Sequence, residues 1–286
     1  MIPRTIWAAV HRCSLLAFIL SLMVSEAVFA EPSSIVHQKR KIAGFWAQVI
    51  TININDPDVR IAPAVARRGV GYSETFQSFL DRTRPTAAIT GTFFDTRSLF
   101  PVGDIVVEGN HVHRGVVGTA LGIGWNNEIT FTPTKRGKVS DWSGYRHVIA
   151  AGPQLLCGGT NAVAPWNEGF RDSGIYSKAP RAAIGLTRNN KVLLVTVKQS
   201  LHLTQLAGVM KGLGCVNAAV LDGGSSTAMY FRGNILHNPQ RRLTNILVAY
   251  DKSSLYEQSL SHLAPGIREV VAERQIETTD SIVIAL

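Results

Sequence analysis

Short apolar runs separated by turn residues recur along most of this chain and restrict it to folds built mainly from β-strands. Within these runs, apolar residues alternate with polar ones or follow one another over roughly four to eight positions, which is typical of strands. Gly, Asn, Asp and Pro stand between the runs, and these residues favour turns. Strands are predicted at residues 42–53, 59–66, 86–92, 104–108, 116–125, 128–132, 182–187, 192–198, 216–221, 227–231 and 245–250.

Two helices and one hairpin are predicted within this pattern. Residues 74–82 carry three apolar side chains at helical spacing behind Ser73, a candidate N-cap. Residues 203–213 have an apolar face, and Gly214 is well placed to end that helix. The turn Asn55-Asp-Pro57 is expected to join the first two strands as a hairpin. The predicted fold class is α+β, a single domain built on a large, mainly antiparallel or mixed sheet with a few short helices.

The first 30 residues have the pattern of a secretory signal peptide. Arg4 and Arg12 supply positive charge, residues 13–24 are apolar, and Val28-Phe-Ala30 matches a cleavage site. The apolar stretch is shorter than the roughly 20 residues that span a bilayer, so an uncleaved anchor is the weaker alternative. We therefore expect an exported protein, periplasmic or secreted, with no stable membrane insertion after signal cleavage.

The net charge of +9 suits polyanionic partners such as nucleic acid, anionic envelope polymers or phosphate-bearing substrates. The basic residues are scattered, without the aromatic-interleaved stripe of a nucleic-acid interface, so no nucleic-acid partner is expected. Cys157 and Cys215 remain after signal cleavage and form either one disulfide or two buried free thiols. Neither belongs to a CxxC pair, which argues against redox and structural zinc motifs.

The loop Leu221-Asp-Gly-Gly-Ser-Ser226 ends a predicted buried strand with a carboxylate, two glycines and two hydroxyls. It lacks the Walker and dinucleotide-binding glycine patterns and the closing glycine of a nucleophile elbow. Backbone amides of successive residues in such a turn can form an anion-binding concavity. An ordinary tight Asp-Gly turn is the alternative.

Several other segments place polar residues in similarly Gly-rich surroundings. In chain order they are Ile89-Thr-Gly-Thr-Phe-Phe94, Pro101-Val-Gly103 with Gly109, Gly152-Pro153, Arg181-Ala-Ala-Ile-Gly185, residues 203–214 leading into the Asp222 loop, and Asn245. Together they resemble the phosphodiester glycosidase family over about residues 85–250. The family usually has Asn-Gly-Gly before the aromatic pair, where this chain has Thr90-Gly91-Thr92. This departure is expected to alter a contact with a sugar hydroxyl and therefore the identity of the substrate.

The resemblance implies a glycosidase domain over residues 85–251. Residues 31–84 are then N-terminal strands and a short helix joined to that domain. Residues 252–286 are a C-terminal extension of unknown role, in which Leu255, Leu260 and Leu263 are expected to pack as a helix. Residues 281–286 are apolar enough to add an edge strand.

The activity implied by the resemblance is hydrolysis of the bond between a sugar's anomeric carbon and a phosphate that is esterified to a second group. Phosphate is already a competent leaving group, so general-acid help matters less than in glycosidases that use two carboxylates. Electrostatic stabilisation then carries much of the work. The expected partner is a phosphate-linked sugar or an envelope glycopolymer, and no cofactor is implied.

Asp222 and Arg181 are the predicted catalytic residues. Asp222 acts as nucleophile, as general base on water or as stabiliser of an oxocarbenium-like centre, and these roles stay open. Arg181 is the predicted phosphate clamp, because a guanidinium fork matches phosphate oxygens. The predicted substrate-binding residues are Thr90, Gly91, Thr92, Asp104, Gly223, Gly224, Ser225, Ser226 and Asn245.

Other functions remain open for this sequence. One is a non-catalytic glycan- or phosphate-binding envelope protein, and another is a serine hydrolase that uses Ser225 or Ser226 with His202 or His237. The further candidate carboxylates Glu108 and Asp95 have solvated surface positions as their alternative. His111 and His113 form an HxH pair, but no third ligand follows at convincing spacing, so no metal site is expected.

Overall fold

Three antiparallel sheets form the framework of the protein, which a computed structural model describes for residues 33–134 and 138–264. The predicted signal segment 1–30 and the predicted strand 281–286 lie outside these described residues. The strands are β1 Ile35–Ile42, β2 Phe45–Asn53, β3 Arg60–Val65, β4 Ala87–Thr90, β5 Ile105–Val107, β6 Asn110–His113, β7 Thr119–Gly124, β8 Ile129–Pro133, β9 Tyr145–Ala150, β10 Gln154–Cys157, β11 Thr160–Asn161, β12 Ala179–Thr187, β13 Lys191–Leu201, β14 Cys215–Leu221, β15 Met229–Phe231, β16 Asn234–His237 and β17 Asn245–Tyr250.

The first sheet has seven strands in the order β1-β2-β13-β12-β14-β10-β11. The second sheet has the order β16-β15-β4-β17-β3, and the third has the order β6-β5-β9-β7-β8. Four helices accompany them, namely α1 Phe76–Thr83, α2 Ser173–Tyr176, α3 Leu203–Gly212 and α4 Ser253–Leu263. The α+β prediction is confirmed, with the strands divided among three sheets. Among the described residues, no helix is both long and apolar enough to cross a membrane.

The sheets share one core because their strands are apolar on both faces. Ile184 of β12, Leu247 of β17 and Leu121 of β7 meet in one buried cluster that joins all three sheets. On the outer face of the first sheet, Ala183 packs in a cluster with α3. On the outer face of the second sheet, Val248 packs in a cluster with α1 and α4. Neighbouring residues of one strand thus enter different clusters, as the two-residue period of a strand requires.

The helix predictions agree closely with the structure. The predicted helix at residues 203–213 is α3, which is followed by Gly214 with a φ of +87°. The helix that was expected to begin behind Ser73 is α1, but its N-cap is Thr75, whose side chain accepts a hydrogen bond from Ser78 N. The leucines of the C-terminal extension lie on α4, as predicted.

The predicted hairpin around Asn55-Asp-Pro57 is wrong. β2 pairs with β1 and β13, whereas β3 pairs with β17 in a different sheet. The actual hairpin joins β1 to β2 through Ala43 and Gly44, whose φ values of 51° and 86° fit a tight two-residue turn. Alanine rarely adopts such a conformation, so these residue types do not predict this turn. The strands β1, β6, β9, β10, β11 and β16 were not predicted.

A buried polar cluster connects α4 to the third sheet. His147 Nδ1 accepts a hydrogen bond from Glu108 N at 3.3 Å, so the neutral imidazole carries its proton on Nε2. Nε2 lies 2.8 Å from the Tyr256 hydroxyl, which in turn donates to the Glu108 carboxylate. Arg146 Nε is 2.6 Å from the same carboxylate. Glu108 therefore forms its hydrogen bonds and its ion pair within this cluster. Burial lowers the pKa of His147 to about 3.

This pKa predicts that acid weakens the fold through His147. Below pH ~6.5 the unfolded chain protonates this histidine while the folded chain keeps it neutral, so the free energy of unfolding falls as pH is lowered towards about 3. Between pH 7 and pH 5 the loss from this group should be about 2 kcal/mol. Urea unfolding at both pH values should show a smaller loss for His147→Gln, which cannot titrate. Equal losses in the two proteins would contradict this prediction.

Candidate active site

A cleft of about 530 Å³ opens where β14 ends, and Asp222 forms part of its lining. Antiparallel pairing places Ala182 of β12 opposite Leu221 of β14, so Arg181 is the next residue along from the partner of Leu221 and lies close to Asp222. Both side chains line the cleft. The structure therefore brings the two predicted catalytic residues together, although they are 41 positions apart in the chain.

A backbone hydrogen bond to the end of a strand of the second sheet holds the Asp222 loop in place. Asp222 N donates to Gly91 O at 2.9 Å, which links the end of β14 to the end of β4. Asn245 supports this link, since its Oδ1 accepts from Thr92 N at 2.7 Å and its Nδ2 donates to Thr92 O at 3.3 Å. A Cβ atom on Gly91 would lie 1.9 Å from Asn245 Oδ1, so only glycine fits there. Thr90 is buried in β4 beneath this contact.

The Asp222 carboxyl is held in a desolvated position. Burial raises its pKa from 3.8 to about 6, while hydrogen bonds from the Ser226 hydroxyl and Gly223 N–H and the charge of Arg241 oppose the rise. Gly223 N lies 2.9 Å from Oδ1. A Cβ atom on Gly223 would lie 3.0 Å from Pro180 O, which explains why the loop needs glycine so close to β12. A carboxyl with this pKa can change its protonation state near neutral pH.

Arg181 is a buried cation whose contacts are mostly with backbone carbonyls. Its Nε lies 3.3 Å from Leu201 O, and its Nη2 donates to Gly174 O at 3.0 Å, to Ile175 O at 3.2 Å and to Ser177 O. Burial lowers its pKa. Among residues 33–134 and 138–264, no carboxylate lies within ion-pair distance of this guanidinium. A buried cation without an anionic partner favours a bound anion.

Two further arginines line the same cleft and were not singled out in the sequence. Arg241 lies with its guanidinium carbon 4.6 Å from the centre of the Phe94 ring. Within the described chain it has neither a hydrogen bond nor an ion pair, so its donors are free for a ligand. Arg171 also lines the cleft and stacks on Trp166. Neither belongs to a glycine-rich motif, and the adjacent pair Arg241-Arg242 reads in sequence as ordinary surface charge.

The other predicted site residues have varied positions. Gly223 and Gly224 line the cleft, whereas Asn245, Gly91 and Thr92 form its support. Ser226 is buried against Asp222, and Ser225 is exposed, with its carbonyl accepting from Gln240 N at 2.8 Å. None of the described residues that line the cleft is a histidine, so the structure does not place His202 or His237 there as partner for a serine nucleophile.

The remaining candidate residues lie outside the cleft or form hydrogen bonds within the protein. Asp104 is not part of the cleft lining, because its Oδ1 accepts from Gly115 N and its Oδ2 from Trp142 Nε1, each at 2.7 Å. Asp95 lines the cleft, and its Oδ1 accepts from Ser98 N at 2.7 Å in a local turn.

Cys157 and Cys215 are free thiols in the structure. The described part of the chain has no group of three potential metal ligands, including around His111 and His113.

The chain resembles known proteins in sequence and in fold. The family model described as phosphodiester glycosidase matches residues 83–250. No curated protein matches the chain at a significant level. A hypothetical protein from Synechocystis has a similar structure, with a TM-score of 0.68 and 18% identity over 77% of this chain and 64% of that chain. The present chain thus spans less than two thirds of that protein.

Two other solved structures share the fold. The catalytic domain of zebrafish N-acetylglucosamine-1-phosphodiester alpha-N-acetylglucosaminidase, auto-inhibited by its pro-peptide, has a TM-score of 0.62 and 19% identity over 77% of this chain and 83% of that chain. A putative exported protein from Burkholderia pseudomallei has a TM-score of 0.59 and 15% identity over 72% of this chain and 74% of that chain. At these identities the likeness concerns the fold alone.

The desolvated carboxyl predicts that Asp222 reduces the stability of the fold. Between pH 3.8 and about 6 the folded chain holds the proton more tightly than the unfolded chain, so the free energy of unfolding falls as the pH rises through this range and stays low above it. Asp222→Asn removes that charge and should raise the free energy of unfolding at pH 7.5 by about 1 to 3 kcal/mol. Urea unfolding would measure this gain, and at pH 4 it should become smaller.

Asp81→Asn is the control, because Asp81 is an exposed carboxylate on α1. This variant should show no comparable gain at pH 7.5. A loss of stability on Asp222→Asn at pH 7.5 that becomes smaller at pH 4 would show that the ionised carboxylate stabilises the folded state, and would contradict this prediction.

Proposed function

Because the chain belongs to the phosphodiester glycosidase family, we propose that it is a hydrolase that cleaves the bond between a sugar and the phosphate of a phosphodiester. The observation that carries this proposal is that one cleft holds a buried carboxyl, Asp222, and arginines that form no ion pair within the described part of the chain. The reaction needs a carboxylate at the anomeric carbon and positive charge at the phosphate. The cleft contains both.

The phosphate is held by Arg241 and Arg181 in this proposal. Arg241 offers a guanidinium whose donors are free among the described residues, and a guanidinium fork matches two phosphate oxygens. Arg181 commits Nε and Nη2 to carbonyls, which leaves Nη1 as its contribution to the cleft. The backbone of Gly223 and Gly224 completes the anion site from the loop side.

Asp222 acts on the sugar side of the phosphate. It serves as nucleophile, as general base on water or as stabiliser of an oxocarbenium-like centre. Water adds its hydroxyl to the anomeric carbon, the bond from that carbon to the phosphate oxygen breaks, and the products are a free sugar and a phosphomonoester. Each of the three roles needs the ionised carboxylate, which burial disfavours below about pH 6.

The proposal includes export to the periplasm or the exterior, and a phosphate-linked sugar or envelope glycopolymer as substrate. The amino-terminal pattern of charge, apolar residues and cleavage site supports export. The basic charge of the chain favours a polyanionic substrate.

Removal of the Asp222 carboxylate is expected to abolish turnover. With a panel of α- and β-linked sugar phosphodiesters, the unaltered protein should release sugar detectable by proton NMR. Asp222→Asn should lower kcat/KM by at least about 100-fold. The kcat/KM of the unaltered protein should rise with pH through about 6, as Asp222 ionises.

The exposed Asp81→Asn variant should match the unaltered protein in this assay. Release of sugar from no diester by a folded protein would contradict the proposed reaction. Binding of the same diesters without any release would instead support the binding-protein alternative.

Loss of the Arg241 charge is expected to weaken substrate binding. Arg241→Met keeps much of the aliphatic length against Phe94 but removes the phosphate donors, so KM should rise by about tenfold, the equivalent of about 1.4 kcal/mol. Arg242→Met is the matched control, because Arg242 is the exposed neighbour and donates to Ser73 O at 2.8 Å away from the cleft lining. Steady-state kinetics on one active diester would compare the two. Similar KM values for both variants would remove Arg241 from the phosphate site.

A further inference from the structure

The hairpin formed by β1 and β2 carries three consecutive basic residues, Lys39, Arg40 and Lys41, and all three are exposed. Trp46 pairs with Lys41 across the hairpin, and 50% of it is exposed. Lys39 Nζ lies 5.3 Å from the centre of the Trp46 ring. Trp46 N donates to Gln199 Oε1 at 2.8 Å, which ties the hairpin to β13. Residues 39–46, called the basic hairpin below, thus present three cations and a flat aromatic ring together.

The elements around the basic hairpin contain no acidic residues. Neither residues 33–55 nor residues 173–221 include an Asp or a Glu, and these ranges hold β1, β2, β12, β13, β14 and α3. Within residues 33–134 and 138–264, none of the three hairpin cations belongs to an ion pair. A surface with charges of a single sign creates a field that attracts ligands of the opposite sign. The basic hairpin is therefore suited to an anionic partner.

The strand register places the basic hairpin at the same end of the first sheet as the cleft. Lys39 pairs with Gln48 of β2, and Gln48 pairs with Thr196 of β13. Thr196 pairs with Ala182 of β12, and Ala182 pairs with Leu221 of β14. Lys39 and Leu221 therefore lie in one row across the sheet. They are separated by four strand spacings, or about 19 Å.

Exposed cations continue from the basic hairpin towards the cleft. The row of paired residues next to that of Lys39 joins Arg40 of the hairpin to Arg181 of the cleft, through pairs in β2 and β13. Lys198 lies on β13 and Lys178 immediately precedes β12, and both lysines are exposed. Strands β13 and β12 stand between the hairpin and β14 in the sheet. The basic surface thus extends along the end of the sheet that leads to Asp222.

We propose that the basic hairpin binds a polymer with phosphate groups along its length and so keeps the protein attached to that polymer. A single phosphate gains little from one exposed lysine, because water and salt screen the pair. A polymer makes several such contacts at once, and each contact releases a counterion. The binding surface itself does not require cleavage. Its link to the cleft rests on the proposed function, because a polymer held at the hairpin has other phosphates within reach of Asp222.

An anionic bilayer matches the basic hairpin less well than a polymer does. Between Lys39 and Gln48, Trp46 is the one large apolar side chain that is exposed. Stable attachment of a hairpin to a bilayer needs a larger apolar area or a lipid anchor in addition to basic charge. A flexible polymer needs neither, since it follows the line of cations across the sheet end. The observations therefore favour the polymer.

Removal of the three hairpin charges is expected to weaken polymer binding. Fluorescently labelled linear inorganic polyphosphate is the probe, and anisotropy measures its Kd. Lys39→Gln, Arg40→Gln and Lys41→Gln together should raise the Kd by about tenfold at about 50 mM salt. The slope of log Kd against log salt concentration, taken from about 50 to 200 mM, should become shallower by about 2, since single-stranded nucleic acids show about 0.7 for each contact. Thermal unfolding should give the Tm of the unaltered protein.

The matched control removes three exposed basic residues elsewhere, by Arg84→Gln, Arg188→Gln and Lys252→Gln. This variant loses the same net charge, and Arg188 lies in the turn between β12 and β13, at the opposite end of the first sheet. Its Kd should change by less than about twofold, because charges beyond the Debye length are screened. Equal weakening in the two triple variants would overturn the hairpin surface, since net charge alone would then explain the attraction.

Turnover distinguishes the basic hairpin from the cleft. On a small methyl sugar phosphodiester, the hairpin variant should keep the kcat/KM of the unaltered protein, because the hairpin does not line the cleft. Loss of this activity in the folded variant would overturn the separation of the two sites. Cleavage of no diester by an unaltered protein that binds polyphosphate through the hairpin would contradict the proposed function and support the hairpin surface. Loss of binding to anionic phospholipid vesicles in the hairpin variant, with unchanged binding of polyphosphate, would overturn the polymer as partner.

Discussion

The hydrogen bond from Asp222 N to Gly91 O is the contact on which the site depends, because it joins strand ends from two different sheets. The carboxyl follows the end of β14, an interior strand of the first sheet, and Gly91 follows the end of β4, an interior strand of the second. Asn245 fills the space that a side chain on Gly91 would need and binds both backbone groups of Thr92. The residues that make this contact are buried because they adjoin β4, β14 and β17, which are apolar strands of the common core.

Burial at this contact changes the pKa of the Asp222 carboxyl. A carboxyl at the surface would ionise well below neutral pH and keep its water shell, whereas burial raises the pKa of Asp222 to about 6. Arg181 is buried near it without a carboxylate partner among the described residues, and burial lowers its pKa. Burial thus disfavours the charged form of both groups. A ligand with a negative phosphate and an electron-poor carbon would satisfy both at once, as expected of a site organised for a transition state.

The sequence predicted the parts of this site that lie in continuous motifs. The helix before β14 and the glycines of the Asp222 loop follow from periodicity and residue type within short segments, whereas the association of Arg181 with that loop was implied by the resemblance to the family. Pairing between distant strands was harder to predict, since a strand that is apolar on both faces fits several neighbours equally well. The false hairpin between β2 and β3 has this origin. Arg241 and Arg171 were missed because they lie in segments with no motif, and only the fold shows which scattered residues meet.

The departure at Thr90-Gly91-Thr92 can now be located. Thr90 and Thr92 are each only 1% exposed and lie beneath the cleft rather than along its lining. In the proposed function, direct contact with the substrate falls to the loops that carry Arg241 and Arg171. Loops change with little effect on a core made of sheets, so substrate selection in this fold can vary while the carboxyl and its supporting strands stay in place.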